Sequence, residues 1–463
     1  MNHAHTLDPT ILREYDIRGI VGETLDPENL TAIGRAYGTL LKRAGGLNVA
    51  VAYDGRLSSS SLEQSLVEGL LSVGLKVYRL GMGPSPMAYY ATHAIPTDGC
   101  CMITGSHNPP EYNGVKMTFL GKPFFGPDIR KLGKISATGD FETGAGEAVR
   151  HPILDDFVDR VAGDHIPGKR LLKVAWDPGN GVAGEALQKL VAKLPGEHFL
   201  INETVDGSFP AHHPDPTVEG NLTQLKELVA KKGCDLGIAF DGDGDRIGVV
   251  DGEGRVIWGD QLLTILAAEI LAEQPGATII ADVKASRTFF DEVERMGGKA
   301  VMWKTGHSLI KNKMAETGAP LAGEMSAHIF YKHRYYGYDD ALYAAVRLLS
   351  ILAGSDQSLA DMRDAMPTMV NTPELRFACP EERKFQAVEE VKERLKGLEG
   401  VTVHDMDGVR VQSEDGWWLL RASNTQAVLV ARCESDTREG LGRLGATLAR
   451  HLEAVGLGLP TEY

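Results

Sequence analysis

The six residues Asp241-Gly242-Asp243-Gly244-Asp245-Arg246 put three carboxylates at alternate positions and close on an arginine. Carboxylates this close repel one another, and a divalent cation held by oxygen ligands is the simplest way to neutralise them. No Cys or His stands in the loop, which favours magnesium over zinc. The alternating glycines let a crowded backbone turn around a small ion. An acidic turn with no ligand is the plainer alternative, but it accounts less well for three aspartates launched from the apolar run 236–240. A magnesium loop calls for a phosphate, and a second motif offers a group to carry one. The run 99–103 (GCCMI) reads as a buried strand that delivers Thr104-Gly105-Ser106-His107-Asn108-Pro109-Pro110. Ser106, between a glycine and a histidine in a turn closed by two prolines, is expected to expose its hydroxyl at the strand end as a nucleophile or phosphoryl carrier. A hydrogen-bonded turn would use the same residues, and the magnesium loop tips the balance to the carrier.

Other polar loops supply further chemistry. His107 adjoins the serine and Lys116 lies ten residues beyond it. Either could manage charge or a proton there, although Lys116 reads equally well as a solvated strand lysine. In 304–308 (KTGHS) a strand turns into a helix, whose N-terminus favours an anion; His307 could also simply cap or pack. Lys284 follows a buried strand and could meet a phosphate or a sugar hydroxyl. Glu324 and Ser326 place an acceptor beside a hydroxyl, which suits a polyhydroxylated substrate. Arg421-Ala422-Ser423-Asn424-Thr425 combines a guanidinium, two hydroxyls, an amide and turn N–H groups, a cradle for phosphate or else a polar turn. His212 and His213, flanked by prolines, read as loop packing rather than a transition-metal site.

These loops need elements to hold them. In the first unit the pattern predicts helices over 27–44 and 60–73, strands over 48–53 and 76–80, a helix from Pro84-Ser85-Pro86, and extended chain over 115–119. Alternation of strand and helix with short turns implies a mostly parallel sheet covered on both faces. The segments VAVAYDGR (49–56), LKVAWDPGNG (172–181) and TIIADVKASR (278–287) each end an apolar strand in Asp and a helix start, which suggests three copies of one α/β unit. Beyond Pro367 the character changes to helix 384–398, extended chain over 401–411, 417–420 and 427–433, and helix 437–454, a smaller α+β unit. The expected boundaries are 1–152, 153–254, 255–366 and 367–463. A chain of 463 residues exceeds a single core. Its 43% hydrophobic and 24% charged content is that of an ordinary globular protein, and its formal charge of -15 disfavours nonspecific nucleic-acid binding without excluding a small anion in a basic cleft. No membrane span or secretory signal is expected, and five cysteines without framework spacing fit reduced thiols in the cytoplasm.

TGSHNP (104–109), DGDGDR (241–246), GEMSAH (323–328) and RASNT (421–425), together with YDIRG (15–19) and KTGHS (304–308), occur in an order and spacing that resemble the alpha-D-phosphohexomutases, specifically the bacterial phosphomannomutase/phosphoglucomutase branch. The resemblance covers essentially the whole chain. It implies three similar mixed-sheet α/β domains and a smaller C-terminal α+β domain, arranged as a heart around a central cleft. It also implies a phosphoserine at Ser106, magnesium on Asp241, Asp243, Asp245 and the Ser106 phosphoryl oxygen, sugar reading by Glu324 and Ser326, and phosphate binding by Arg421, Ser423, Asn424 and Thr425. Residues matching Tyr15, Arg18, Lys116, Arg246, Lys284 and His307 serve the cleft in that family. The implied reaction interconverts the 1- and 6-phosphates of mannose and glucose through a 1,6-bisphosphohexose, with glucose 1,6-bisphosphate as activator, in a monomer whose partners are small hexose phosphates. A phosphoglucosamine mutase and a metal-dependent sugar phosphatase are the alternatives. Members usually read GEMSGH, so Ala327 is a departure, one that matters only where glycine's positive φ is required.

Overall fold

The computed structural model describes residues 4–424 and 426–459, so Thr425 lies outside the described residues. Four sheets organise the chain. The first runs Ile17–Ile20, Tyr112–Phe119, Gly99–Ile103, Asn48–Tyr53, Lys76–Met82, Glu147–Arg150, with Lys122–Pro123 added beside Tyr112–Phe119. The second runs Val256–Ile257, Ile247–Asp251, Leu236–Phe240, Lys173–Asp177, Glu197–Leu200, and the third Lys299–Trp303, Thr278–Asp282, Leu321–Gly323, Ile329–Tyr331.

One arrangement recurs in all three. The strands of the sequence repeat, Asn48–Tyr53, Lys173–Asp177 and Thr278–Asp282, each pair in parallel with a strand on either side. One of those neighbours (Gly99–Ile103, Leu236–Phe240, Leu321–Gly323) then turns back into an antiparallel strand. The serine loop, the aspartate loop and the Glu324 loop are these three turns, so they occupy equivalent places. The sheets are therefore mixed, with parallel interiors and an antiparallel edge, rather than mostly parallel.

Alternation along the strands sets the layers. Val49, Val51, Cys101 and Ile103 face one core with helices Pro27–Arg43, Ser59–Ser72 and Pro127–Thr138. Ala50, Ala52, Cys100 and Met102 face another, which continues through the second and third units to Met366. The expected helices are present to within a few residues, whereas helix Pro127–Thr138 was not anticipated.

The fourth sheet is entirely antiparallel: Val370–Asn371, Val428–Ser435, Gly416–Ala422, Val409–Ser413, Thr402–His404, with Leu375–Ala378 also on Val428–Ser435. The extended segment expected over 401–411 is two strands, because the chain turns at 405–408 with Gly408 at φ +74°. Helices Glu381–Leu395 and Arg438–Glu453 close a separate core over this sheet. Among the described residues no helix is long and apolar enough to cross a membrane, and all five cysteines are buried and free.

Candidate active site

Ser106 stands at φ +49° and is 3% exposed, so its hydroxyl is buried between loops rather than displayed. Its Oγ donates to Asp241 Oδ2 at 3.0 Å and lies 3.3 Å from His107 Nδ1. The two loops touch along the backbone as well, since a Cβ on Gly242 would come within 2.3 Å of the Ser106 carbonyl oxygen. Glycine is required at 242 by this approach, and at 244 by φ +76°.

The three aspartates are fully buried. Asp241 Oδ1 accepts the N–H groups of Gly244, Asp245 and Arg246 at 3.0, 3.1 and 3.2 Å, which shapes the turn. Lys116 is buried too, and its Nζ donates to Asp243 Oδ2 at 2.7 Å and Asp245 Oδ2 at 2.5 Å; the solvated alternative is thereby removed. Burial, then the charges of Asp243 and Asp245, push the Asp241 carboxyl well up. Asp245 is held well below the usual range, against burial, by Lys116 and His328. Burial would lower the Lys116 ammonium, but the two aspartates hold it well up. Among the described residues Asp243 Oδ1 has no hydrogen-bond partner, and Asp245 Oδ1 has only the His328 imidazole, 3.3 Å away. Asp243 and Asp245 thus each have an oxygen that a cation could take, Asp241 Oδ2 carries only the Ser106 hydroxyl, and ligand atoms of the three lie within 4.8 Å of one another. An all-oxygen set of this kind fits magnesium.

The Glu324 loop joins the aspartate loop through an antiparallel bridge between Arg246 and His328. Glu324 Oε1 accepts the Gly306 N–H at 2.6 Å, and Oε2 lies 3.1 Å from His328 Nδ1. Ser326 Oγ is 3.3 Å from that same nitrogen. Burial works against a charged His328, yet Asp245 holds it up, to about 9, so the ring bridges the two loops as a cation. His307 stacks beside it with 5.9 Å between ring centroids, and burial, with Lys311 and Lys116, keeps that imidazole neutral. His107 is likewise pushed well down, first by burial and then by Arg246 and Arg18.

Two of the remaining predicted residues reach the serine and third-unit loops, and one faces the fourth unit. Arg18 Nη1 donates to Asn108 Oδ1 at 2.9 Å in the serine loop. The Tyr15 hydroxyl donates to the Thr305 carbonyl at 2.8 Å and accepts from Asn424 Nδ2 at 2.5 Å. Lys284 points to the fourth unit, its Nζ 3.1 Å from Glu374 Oε2. Arg421 is the last residue but one of strand Gly416–Ala422, and its guanidinium meets Asp407 at 3.2 and 3.3 Å. Ser423 Oγ accepts the Gln426 N–H at 3.2 Å. His212 Nε2 pairs with Asp177 Oδ2 at 2.9 Å, a packing role.

Four family models match the chain in order: phosphoglucomutase/phosphomannomutase alpha/beta/alpha domain I over residues 9–143, domain II over 155–254, domain III over 258–369 and the C-terminal domain over 374–451. The chain belongs to the phosphoglucomutase/phosphomannomutase family. It is 43% identical over 460 residues to the phosphomannomutase/phosphoglucomutase of Pseudomonas aeruginosa, covering 99% of each chain. It is 41% identical over 438 residues to the phosphoglucomutase of Neisseria gonorrhoeae, covering 94% of this chain and 95% of that one. The crystal structure of a phosphoglucomutase/phosphomannomutase family protein from Burkholderia thailandensis superposes with a TM-score of 0.92 at 41% identity, covering 98% and 99% of the two chains. Membership in this family makes the chain an enzyme of the alpha-D-phosphohexomutase superfamily, with four domains and reversible phosphohexomutase chemistry.

Within the phosphohexomutase frame, sequence reasoning passed over several residues that build the site. His328 stood inside the GEMSAH motif but received no role. Ser85, at the start of helix Ser85–Ala94, donates Oγ to Asp243 Oδ2 at 2.5 Å. Arg56, 3% exposed, donates to the carbonyls of Ser106, Asn108, Pro109 and Tyr112 at 2.5–3.0 Å and pairs with Asp54, stapling the serine loop. Lys384, 1% exposed, does the same for the loop 421–426 through the carbonyls of Ser423 and Gln426, at 2.6 and 3.0 Å.

Proposed function

We propose that this phosphohexomutase interconverts the 1- and 6-phosphates of mannose and glucose through a phosphoserine at Ser106 and a 1,6-bisphosphohexose. The observation that carries the reading is the 3.0 Å contact of Ser106 Oγ with Asp241, 135 residues away, beside a lysine paired with the other two aspartates. In the first half-reaction the bond from phosphorus to Ser106 Oγ breaks as one forms to the free sugar hydroxyl oxygen. The hydroxyl proton ends on Oγ, and neutral His107, 3.3 Å from that oxygen, can relay it. Lys116 and Arg246 offset the charge of the group in transit. Held by Asp241, Asp243, Asp245 and a phosphoryl oxygen of Ser106, magnesium would supply the same charge stabilisation. The bisphosphosugar then turns end for end and returns its other phosphate to Ser106, in the reverse bond changes.

The other loops sort by chemistry. Glu324 and Ser326 read the sugar hydroxyls, with His307 and Lys284 at the cleft wall, while Arg421, Ser423, Asn424 and Thr425 hold the phosphate that stays; from the first unit Tyr15 meets Asn424, and Arg18 stands beside Asn108 in the serine loop. Each of the four units, 1–152, 153–254, 255–366 and 367–463, contributes one loop. Relatives of nearly equal identity carry dual and glucose-only names, so both sugars belong to the proposal. Peptide mapping should find one phosphoryl group, on Ser106, after incubation with glucose 1,6-bisphosphate. Mannose 1-phosphate and glucose 1-phosphate should turn over to 6-phosphates, and glucosamine 1-phosphate far more slowly. Release of inorganic phosphate, preference for the amino sugar, or a fully active Ser106→Ala enzyme would each overturn the reading.

A further inference from the structure

Asp407 lies in the turn 405–408 between strands Thr402–His404 and Val409–Ser413. A Cβ on Gly408 would fall 2.4 Å from the Leu420 carbonyl oxygen and 2.6 Å from Arg421 Cβ. Glycine therefore lets this turn press onto the strand that carries Arg421. The Asp407 carboxylate grips one edge of the guanidinium, with Oδ2 3.2 Å from Nε and Oδ1 3.3 Å from Nη2. A planar fork held along that edge has its Nη1 end fixed in direction for a second anion.

Asp407 Oδ2 also accepts the Thr305 backbone N–H at 3.0 Å, from the third unit's loop between strand Lys299–Trp303 and helix His307–Thr317. The Thr305 carbonyl accepts from the Tyr15 hydroxyl, which accepts in turn from Asn424. Contacts thus leave the fourth unit at Asp407, cross the third at Thr305 and the first at Tyr15, and return to the fourth at Asn424. The next peptide N–H, of Gly306, holds Glu324 at 2.6 Å. The loop that Asp407 grips is therefore also the one that orients the sugar-reading carboxylate.

The geometry points to Asp407 as a positioning residue, a latch that keeps the fourth unit closed over the cleft and aims Arg421 while the sugar turns. This rests on the mutase reading, in which a bisphosphorylated intermediate must reorient without leaving. A closure made only of sugar contacts would be lost during that turn, whereas the bond from Thr305 to Asp407 contains no sugar atom. A carboxylate beside a phosphate site repels the incoming anion, a poor choice for affinity alone; a latch explains why it is there.

The test follows label from phospho-Ser106. Full-length enzyme carrying isotopically labelled phosphate on Ser106 is mixed with glucose 1-phosphate or mannose 1-phosphate, and label is counted in free bisphosphosugar against hexose 6-phosphate. That ratio is taken per turnover, so a smaller folded fraction does not move it. Asp407→Ala removes both the acceptor for the Thr305 N–H and the carboxylate on Arg421. It should raise the ratio by about tenfold, the factor that about 1.4 kcal/mol corresponds to, and equally for both sugars. Loss of label from Ser106 should slow less than the ratio rises, and Asp407→Glu should restore part of the effect. An unchanged ratio in Asp407→Ala, or a lower KM with an unchanged ratio, overturns the latch. Wild-type enzyme that passes no label to either sugar product removes the mutase reading and the latch with it.

Discussion

Ala327 shows how one methyl group can be read physically. It stands at φ +70°, in the left-handed region, where its N–H donates to the Glu324 carbonyl at 2.9 Å and closes the sugar loop. The left-handed conformation costs an L-residue with a Cβ about 1–2 kcal/mol relative to the right-handed one. The condition under which the departure from GEMSGH matters is therefore met. Ala327→Gly should stabilise this loop by about 1 kcal/mol once the added freedom of the unfolded chain is subtracted. In a chain of several units a single unfolding midpoint is ill-defined, so the measurement is hydrogen exchange in strands Leu321–Gly323 and Ile329–Tyr331. Protection that falls on substitution would mean that the methyl gains more from packing than the backbone loses. Glu324 keeps its contacts to Gly306 and His328 in either case, so turnover should change little.

At the scale of elements, the serine loop and the 421–426 loop are each fastened from beneath by a buried cation. Arg56 is the clearest case, with four carbonyls of the serine loop on one guanidinium. Arg56→Lys keeps the charge beside Asp54 but cannot reproduce the fork, so at least one of the four carbonyls loses its donor. Phosphoryl transfer to and from Ser106 should slow by about tenfold or more in single-turnover experiments, because the hydroxyl is no longer held against Asp241. KM for the sugar phosphate should change little. An unaltered transfer rate would show that the prolines alone hold the loop. This layer was hidden in the sequence. Arg410, in VRVQS, alternates like a solvated strand residue, yet its side chain donates to the carbonyls of Val283 and Ala285 at 2.7 Å. Periodicity tells which face a residue is on and not whether another unit covers that face. Strands such as 48–53 and 99–103 were legible because their apolar runs are bounded by turn residues. Helix Pro127–Thr138, whose buried Ile129, Leu132 and Ile135 recur at helical spacing, was passed over in a stretch dominated by polar and glycine residues. The loops themselves were legible because Asp, Ser and Arg in Gly-rich turns are chemically conspicuous, whereas the His328 bridge exists only once two loops from different sheets meet.

For the whole molecule the question is how the fourth unit stays attached and yet moves. The first three units share one continuous core, but the fourth has its own and meets the third in a small apolar contact of Val283, Trp417 and Leu419. Polar contacts therefore carry much of the docking, and one of them titrates. Glu374 of the fourth unit takes Lys284 at 3.1 Å and Arg376 at 2.7 Å. Against the upward push of burial, Lys284 and Arg376 hold its carboxyl down to about 2, from an ordinary 4.5. Above pH 4.5 the carboxylate is ionised whether the unit is docked or released, and the contribution is complete. Below it the released form takes up a proton that the docked form refuses, so the contribution shrinks as the pH falls and is gone near 2. Its full size is less than about 3 kcal/mol, the figure for the whole shift from 4.5 to about 2, because Arg376 belongs to the fourth unit and stays with Glu374 after release. Acidification from pH 5 to 3 should thus expose amides of the fourth unit's interface before those of the shared core, as read by hydrogen exchange. Glu374→Gln removes the titrating group, so it should loosen the unit at pH 7 and flatten this pH dependence. If protection of the fourth unit falls in parallel in the variant and the wild type, docking is governed by other carboxylates and Lys284 owes its position to the third unit alone.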